Sequence, residues 1–184
     1  MLNILPMKNG MAEYYNTIDS RFLVGETVSL KVGQTVFSLV YRPIGKALWR
    51  QGEKDERFSA EDLISSRDAV CYFAFEGEQP VGQIIVFENF NSLAVVQHIC
   101  VEARLRRQGV GKALMETAAD WAKRHGQKGL MMEIRDSNPI ACQFAESMGF
   151  ELGGFDQLLY TAMSEQQNRP RALRDSALFF YKLF

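Results

Sequence analysis

The sequence predicts an α/β fold, a mixed and mostly antiparallel central sheet flanked by helices. Three observations carry this. Residues 71–101 hold three β-patterned runs joined by short turns, as an antiparallel meander requires. A helical period takes over at Val110. Strand and helix patterns then alternate to the end of the chain, which places helices against a sheet.

The chain has 184 residues. That length fits one domain over 1–184 and lets roughly two thirds of the unfolded surface be buried. Apolar residues are 47% and charged residues 23%, which argues against a disordered chain. Lys plus Arg is 21 against 22 for Asp plus Glu, so no bulk attraction to nucleic acid or an acidic membrane is expected. No apolar run reaches about 18 residues, so no membrane span is expected. Met1–Gly10 carries only Lys8 as a cation and no apolar core, so a signal peptide is not expected. Cys71, Cys100 and Cys142 are odd in number and widely spaced. They read as small buried hydrophobes in a reducing compartment, and the expected location is cytoplasmic.

The first 20 residues carry little pattern. Thr27–Val32 and Gln34–Arg42 are strand candidates, with Gly33 as a turn, bulge or break between them. Pro43 and Gly45 are expected to stop the second run. Residues 50–57 form a polar loop. A short helix is expected from Ser59, with Asp62 in its first turn, ending near Arg67. Cys71–Phe75, Val81–Phe87 and Leu93–Val101 are the meander strands. Val110, Leu114, Ala118 and Trp121 form the apolar stripe of a helix. Asp120 and Arg124 are spaced to pair on its wet face, and Gly126 suits its end. Leu130–Ile134 is a strand. Asn138 then caps a helix with Pro139 first and Ile140, Phe144 and Met148 along it. Phe150–Leu152 and Gln157–Ala162 are strand candidates around Gly153-Gly154, and residues 164–175 a polar insertion. Ala177–Phe184 is apolar to its last residue and is expected inside the sheet.

Arg104–Gly111 reads RLRRQGVG between a strand and a helix start. Glycines let the backbone approach a ligand, and the free N–H groups of the first turn face an anion. Arg104, Arg106 and Arg107 add positive charge there. The pattern implies a pyrophosphate-like ligand or, equally, a glycine turn with solvated arginines. It is neither a Walker A loop nor GxGxxG.

Arg106-Arg107-Gln108-Gly109-Val110-Gly111 resembles the acetyl-CoA signature of the GNAT N-acetyltransferases. Gly129–Glu133, Asn138–Cys142, Gly149-Phe150, Gly154, Asp156, Leu159-Tyr160 and Ala177–Tyr181 are similar to streptothricin acetyltransferases. The resemblance covers about residues 70–184. It implies a GNAT-like sheet whose fourth and fifth strands splay to hold pantetheine. It implies acetyl-CoA as cosubstrate, held by Cys100, Val101, Arg106, Arg107, Gln108, Gly109, Val110, Gly111, Lys112 and Asn138. The acceptor is a primary amine of a small molecule, streptothricin leading, attacking directly in a ternary complex. Polyamines, aminoglycosides and protein amino groups stay open as acceptors.

Two positions depart from the family pattern. Ala145 stands where a tyrosine commonly protonates the leaving thiolate, and Gln97 where related enzymes carry an acid. Tyr160, Glu133 and His98 are the catalytic candidates that remain: Tyr160 as replacement acid, Glu133 for the amine or its proton, His98 as a base. The alternative reading is a CoA-binding protein with weakened catalysis. Asp136 and Asp156 are candidate contacts for a cationic substrate. His98, His125 and the cysteines lack metal-ligand spacing, so no metal is expected. Arg169, Arg171 and Arg174 form a basic cluster without interleaved aromatics, which does not point to nucleic acid. The apolar C-terminal strand is compatible with a homodimer.

Overall fold

A computed structural model describes residues 2–34, 36–161, 168, 170 and 174–184. Its strands and helices run in the order β1 (Leu2–Pro6), β2 (Phe22–Val32), β3 (Phe37–Arg50), α1 (Ala60–Ser65), β4 (Ala69–Glu76), β5 (Gln79–Glu88), β6 (Ala94–Val101), α2 (Val110–Arg124), β7 (Gly129–Arg135), α3 (Pro139–Ser147), β8 (Glu151–Asp156) and β9 (Ala177–Leu183). Short 3-10 turns cover Ala12–Tyr14 and Ala103–Leu105. The residues group into two compact units, one of residues 1–22, 51–131 and 183–184, the other of 23–50 and 132–182. Each unit is assembled from separated segments of the chain.

The first unit holds the meander. β1, β4, β5 and β6 lie side by side in that order, each antiparallel to the next. The sequence showed little before residue 20, yet β1 pairs from Leu2 against Glu76 to Pro6 against Tyr72. β6 runs parallel to the start of β7, through the pairs Ala94–Leu130 and Val95–Met131. Side chains alternate between the two faces. Gly82 lies against Leu114 and Val110, so α2 covers that face. The other face carries Cys71, Phe73, Phe75, Ile85, Phe87 and Cys100, packed with Ala60 and Leu63 of α1.

The expected capping box of α1 is formed. Asp62 N–H donates to Ser59 Oγ at 3.0 Å, and Ser59 N–H to Asp62 Oδ2 at 3.1 Å. The helix stops at Ser65, short of the expected Arg67. α2 follows its predicted stripe, and Gly126 beyond it is left-handed at φ 72°. The expected Asp120–Arg124 ion pair is absent from the described contacts. Arg124 Nε donates instead to the Asp120 carbonyl at 3.2 Å, and the ion pair of this face is Lys112–Glu116 at 3.8 Å.

In the second unit β2 and β3 form a two-stranded ribbon, closed where Gly33 N–H donates to the Val36 carbonyl at 2.9 Å. Pro43 and Gly45 do not stop β3, which continues to Arg50. A ribbon strand has one unpaired edge, and there a proline loses no ladder bond. The order of the remaining strands is β7, β9, β8, so the apolar C-terminal segment is an inner strand as expected. β8 is one strand through Gly153 and Gly154, with a bulge between Leu152 and Gly154, rather than two strands around them. Residues 157–161 are turns, and Ala162 lies outside the described residues. α3 is capped by Asn138 with Pro139 first. Its buried side is Pro139, Cys142 and Ala145, while Ile140 is 40% exposed, so the expected apolar row is not the packed one. Small residues let a nine-residue helix approach its support closely.

Candidate active site

The glycine-rich segment lies in the first unit between the end of β6 and the start of α2. Arg107 is left-handed at φ 63° and Gly109 at φ 88°. Gly109 is the N-cap of α2, and no side chain caps the helix. The first helical bond is Ala113 N–H to the Gly109 carbonyl at 2.9 Å. The N–H groups of Val110, Gly111 and Lys112 precede it and have no partner within the helix. A Cβ built on Gly109 meets nothing within 4 Å. Uncapped donors, open space and the positive helix end suit a pyrophosphate.

The three arginines do not converge as a group. Arg104 bridges Glu76 at 2.6 Å and Glu102 at 2.8 Å, so its charge is matched. Arg106 Nε donates to the Val101 carbonyl at 2.9 Å and ties the segment to the end of β6. Arg107 is exposed. Gln108 Nε2 donates to the Arg104 carbonyl at 2.7 Å, which closes the loop on itself. Cys100 is buried, and burial pushes its thiol up to about 12, so it is no nucleophile.

The profile of the acetyltransferase (GNAT) family matches residues 39–150. The chain belongs to the GNAT acetyltransferase family. It is 35% identical over 147 residues to streptothricin acetyltransferase A of Bacillus subtilis, covering 80% of each chain. It is 29% identical over 163 residues to a streptothricin acetyltransferase of Escherichia coli, covering 89% of this chain and 86% of that one. A Bacillus anthracis protein proposed as a streptothricin acetyltransferase, solved with acetyl coenzyme A, superposes with a TM-score of 0.87 at 25% identity over 100% of both chains. Acetyl-CoA is the cosubstrate of this GNAT enzyme, and the uncapped end of α2 fits its pyrophosphate.

Two catalytic candidates of this acetyltransferase meet in the second unit. Glu133 is exposed on β7 between buried Met132 and Ile134. The Tyr160 hydroxyl donates to Glu133 Oε1. The Arg135 guanidinium stacks 3.8 Å from the Tyr160 ring centre, and Arg135 reaches Asp175 at 3.5 Å. Asn138 Oδ1 accepts from the Ala141 N–H at 3.1 Å and so caps α3. Asp136 Oδ1 accepts from Ser176 N–H at 3.0 Å, and burial pushes its carboxyl up. Ala145 on α3 is fully buried. Asp156 Oδ1 caps the following turn through the N–H groups of Leu158 and Leu159, at 2.6 and 3.1 Å.

His98 lies in the first unit, with both ring nitrogens engaged. Nδ1 is 3.3 Å from Gln83 Nε2, and Nε2 is 3.0 Å from the Glu53 carbonyl. No lone pair is left for a substrate amine. Gln83, Asn16 and Asp55 around it were not singled out from sequence. One signal existed, a glutamine inside the otherwise apolar run Val81–Phe87. Among the described residues no three His, Cys, Asp or Glu are placed to hold a metal ion. No described helix is long and apolar enough to cross a membrane. Arg169 and Arg171 of the basic cluster lie outside the described residues.

Proposed function

We propose that this enzyme transfers the acetyl group of acetyl-CoA to a primary amine of a streptothricin-type antibiotic. The observation that carries the reading is the match to streptothricin acetyltransferases over 80% and 89% of this chain. The uncapped start of α2 supports the donor half of the reaction. We assign residues 1–184 to one catalytic domain acting in solution on a small molecule.

The pyrophosphate sits on the N–H groups of residues 108–112. The pantetheine follows β6, whose ladder with β7 holds two residue pairs. The Val101 N–H polarises the thioester carbonyl and stabilises the oxyanion. An amine with a pKa near about 10 is protonated at neutral pH and must lose a proton to attack. Glu133 takes that proton. The tetrahedral adduct loses the second nitrogen proton to water and expels the thiolate. Tyr160 donates its proton to the thiolate and regains one from Glu133. His98 takes no proton-transfer step in this scheme.

A second reading is favoured by one observation, the absence of a tyrosine at Ala145. In it the chain binds acetyl-CoA and turns over slowly. Acceptor-dependent release of CoA thiol, with streptothricin and with a panel of amines, separates the two. Saturable turnover with streptothricin supports the first reading. Acetyl-CoA binding by calorimetry without turnover on any amine overturns it in favour of the second.

A further inference from the structure

One face of the first unit's sheet carries a ring of polar groups in an apolar layer. Gln83 has no exposed surface and Asp55 is 6% exposed. Asn16 joins them. Its backbone N–H donates to Gln83 Oε1 at 3.0 Å, and its Oδ1 accepts from Gln83 Nε2 at 3.3 Å. Its Nδ2 donates to the Asp55 carbonyl at 2.8 Å, and its Oδ1 accepts from the Asp55 N–H at 3.3 Å. The Asp55 carboxylate accepts from the Tyr15 hydroxyl, from Phe58 N–H at 3.1 Å and from Arg57 N–H at 3.3 Å. His98 closes the ring between Gln83 and the Glu53 carbonyl.

These bonds leave His98 one protonation state. A backbone N–H only donates, so Asn16 fixes Gln83 with its oxygen toward Asn16 and its NH2 toward His98. Nδ1 must then be bare to accept. The ring hydrogen sits on Nε2, which faces a carbonyl. A second ring proton sets N–H against N–H and breaks the link. The amide cannot turn over to accept it without facing its NH2 to the Asn16 N–H.

We propose that Gln83 and His98 are positioning residues, a clasp that holds Gln51–Phe58 against β6 only while the imidazole is neutral, and that acid opens it. The clasp lies two residues before Cys100, on the strand that leads to the glycine-rich loop. Opening it frees the segment beside the cosubstrate's strand.

The surroundings agree in direction. Burial pushes the ring below the ordinary histidine value, while the Glu53 carbonyl and the Asp55 charge work the other way. From β5 the ring faces neutral Gln83. From the segment it faces Glu53 and Asp55, the latter hydrogen-bonded to the Tyr15 phenol of the N-terminal stretch. Cys71 and Cys100 on the same face have thiols pushed up by burial and stay uncharged. With the native value depressed, stability from the clasp is full above the unfolded value of about 6.5 and is lost as pH falls through the native one.

The chain has 2 histidines, so ring-nitrogen labelling yields two assignable signals. The expected spectrum has His98 as the Nε2–H tautomer, titrating below the ordinary histidine value. Amide exchange over residues 51–58, corrected for intrinsic pH dependence, rises at least about tenfold through that titration. His98→Gln keeps a donor for the Glu53 carbonyl and does not titrate. Its exchange is flat with pH, and the acid limb of kcat/KM moves away from that of wild type. A His98 that titrates like a solvated ring overturns the proposal. So does exchange over 51–58 that ignores the titration, or an acid limb unchanged in His98→Gln. The wild-type spectrum and exchange decide the matter should the variant fail to fold. Neither needs an acceptor, so failure of the streptothricin reading is seen separately.

Discussion

Tyr160 donates its hydroxyl to Glu133, a residue 27 positions earlier, and so joins the turn after β8 to the exposed carboxylate of β7. Groups that share one proton are expected to fail together. Tyr160→Phe and Glu133→Gln should each lower kcat at least about tenfold with acetyl-CoA affinity within about twofold of wild type. The double variant should be no slower than the worse single one. Additive losses in stopped-flow acetyl transfer would separate the two residues.

Gly109 adopts φ 88° with open space where a Cβ would stand. Gly109→Ala therefore meets backbone strain and no clash. The left-handed conformation costs a non-glycine residue about 1–2 kcal/mol. Acetyl-CoA Kd should rise about 5- to 30-fold by calorimetry as the loop relaxes away from its binding form.

Arg106 reaches the Val101 carbonyl through Nε, at 2.9 Å. A lysine keeps the charge but lacks that planar donor. Arg106→Lys should weaken acetyl-CoA binding about as much as Arg106→Ala. Full affinity in the lysine variant would show that charge alone matters there.

A Cβ on Gly153 would lie 2.5 Å from Tyr181 Cδ2, so the ring covers the bare backbone of the β8 bulge. Gly153→Ala should destabilise by about 1–3 kcal/mol in urea unfolding. In a Tyr181→Ala background the same substitution should cost clearly less, because the clash is gone.

Local signals were legible. The stripe of α2, the Ser59–Asp62 box and the Asn138-Pro139 start each need only a few adjacent residues. The glycine-rich loop belongs with them. Pro43 reads as a breaker, yet β3 runs on to Arg50 in a two-stranded ribbon, where each strand has an unpaired edge that tolerates proline. In α3 the four-residue spacing of Ile140, Phe144 and Met148 looked like a core face. Which row packs depended on a support that wanted small side chains. The polar ring was hidden by distance, since Asn16 and Gln83 are 67 positions apart. The Tyr160–Glu133 pair lay within the family resemblance, but their contact did not.

The burial of all three cysteines sets their chemistry. Cys100 and Cys142 have thiols pushed up to about 12 by burial. Native protein at pH 8 should resist iodoacetamide over hours, and the unfolded chain should take up label at all 3 positions. Fast labelling of the native enzyme at Cys100 would mean that the end of β6 opens readily.

Ala145 has no exposed surface on α3. Its neighbours have closed over a methyl group. Placing a phenol there would force a ring into a site closed over a methyl group. Ala145→Tyr alone would therefore supply no proton donor, and the acid of the reaction must be sought at other positions.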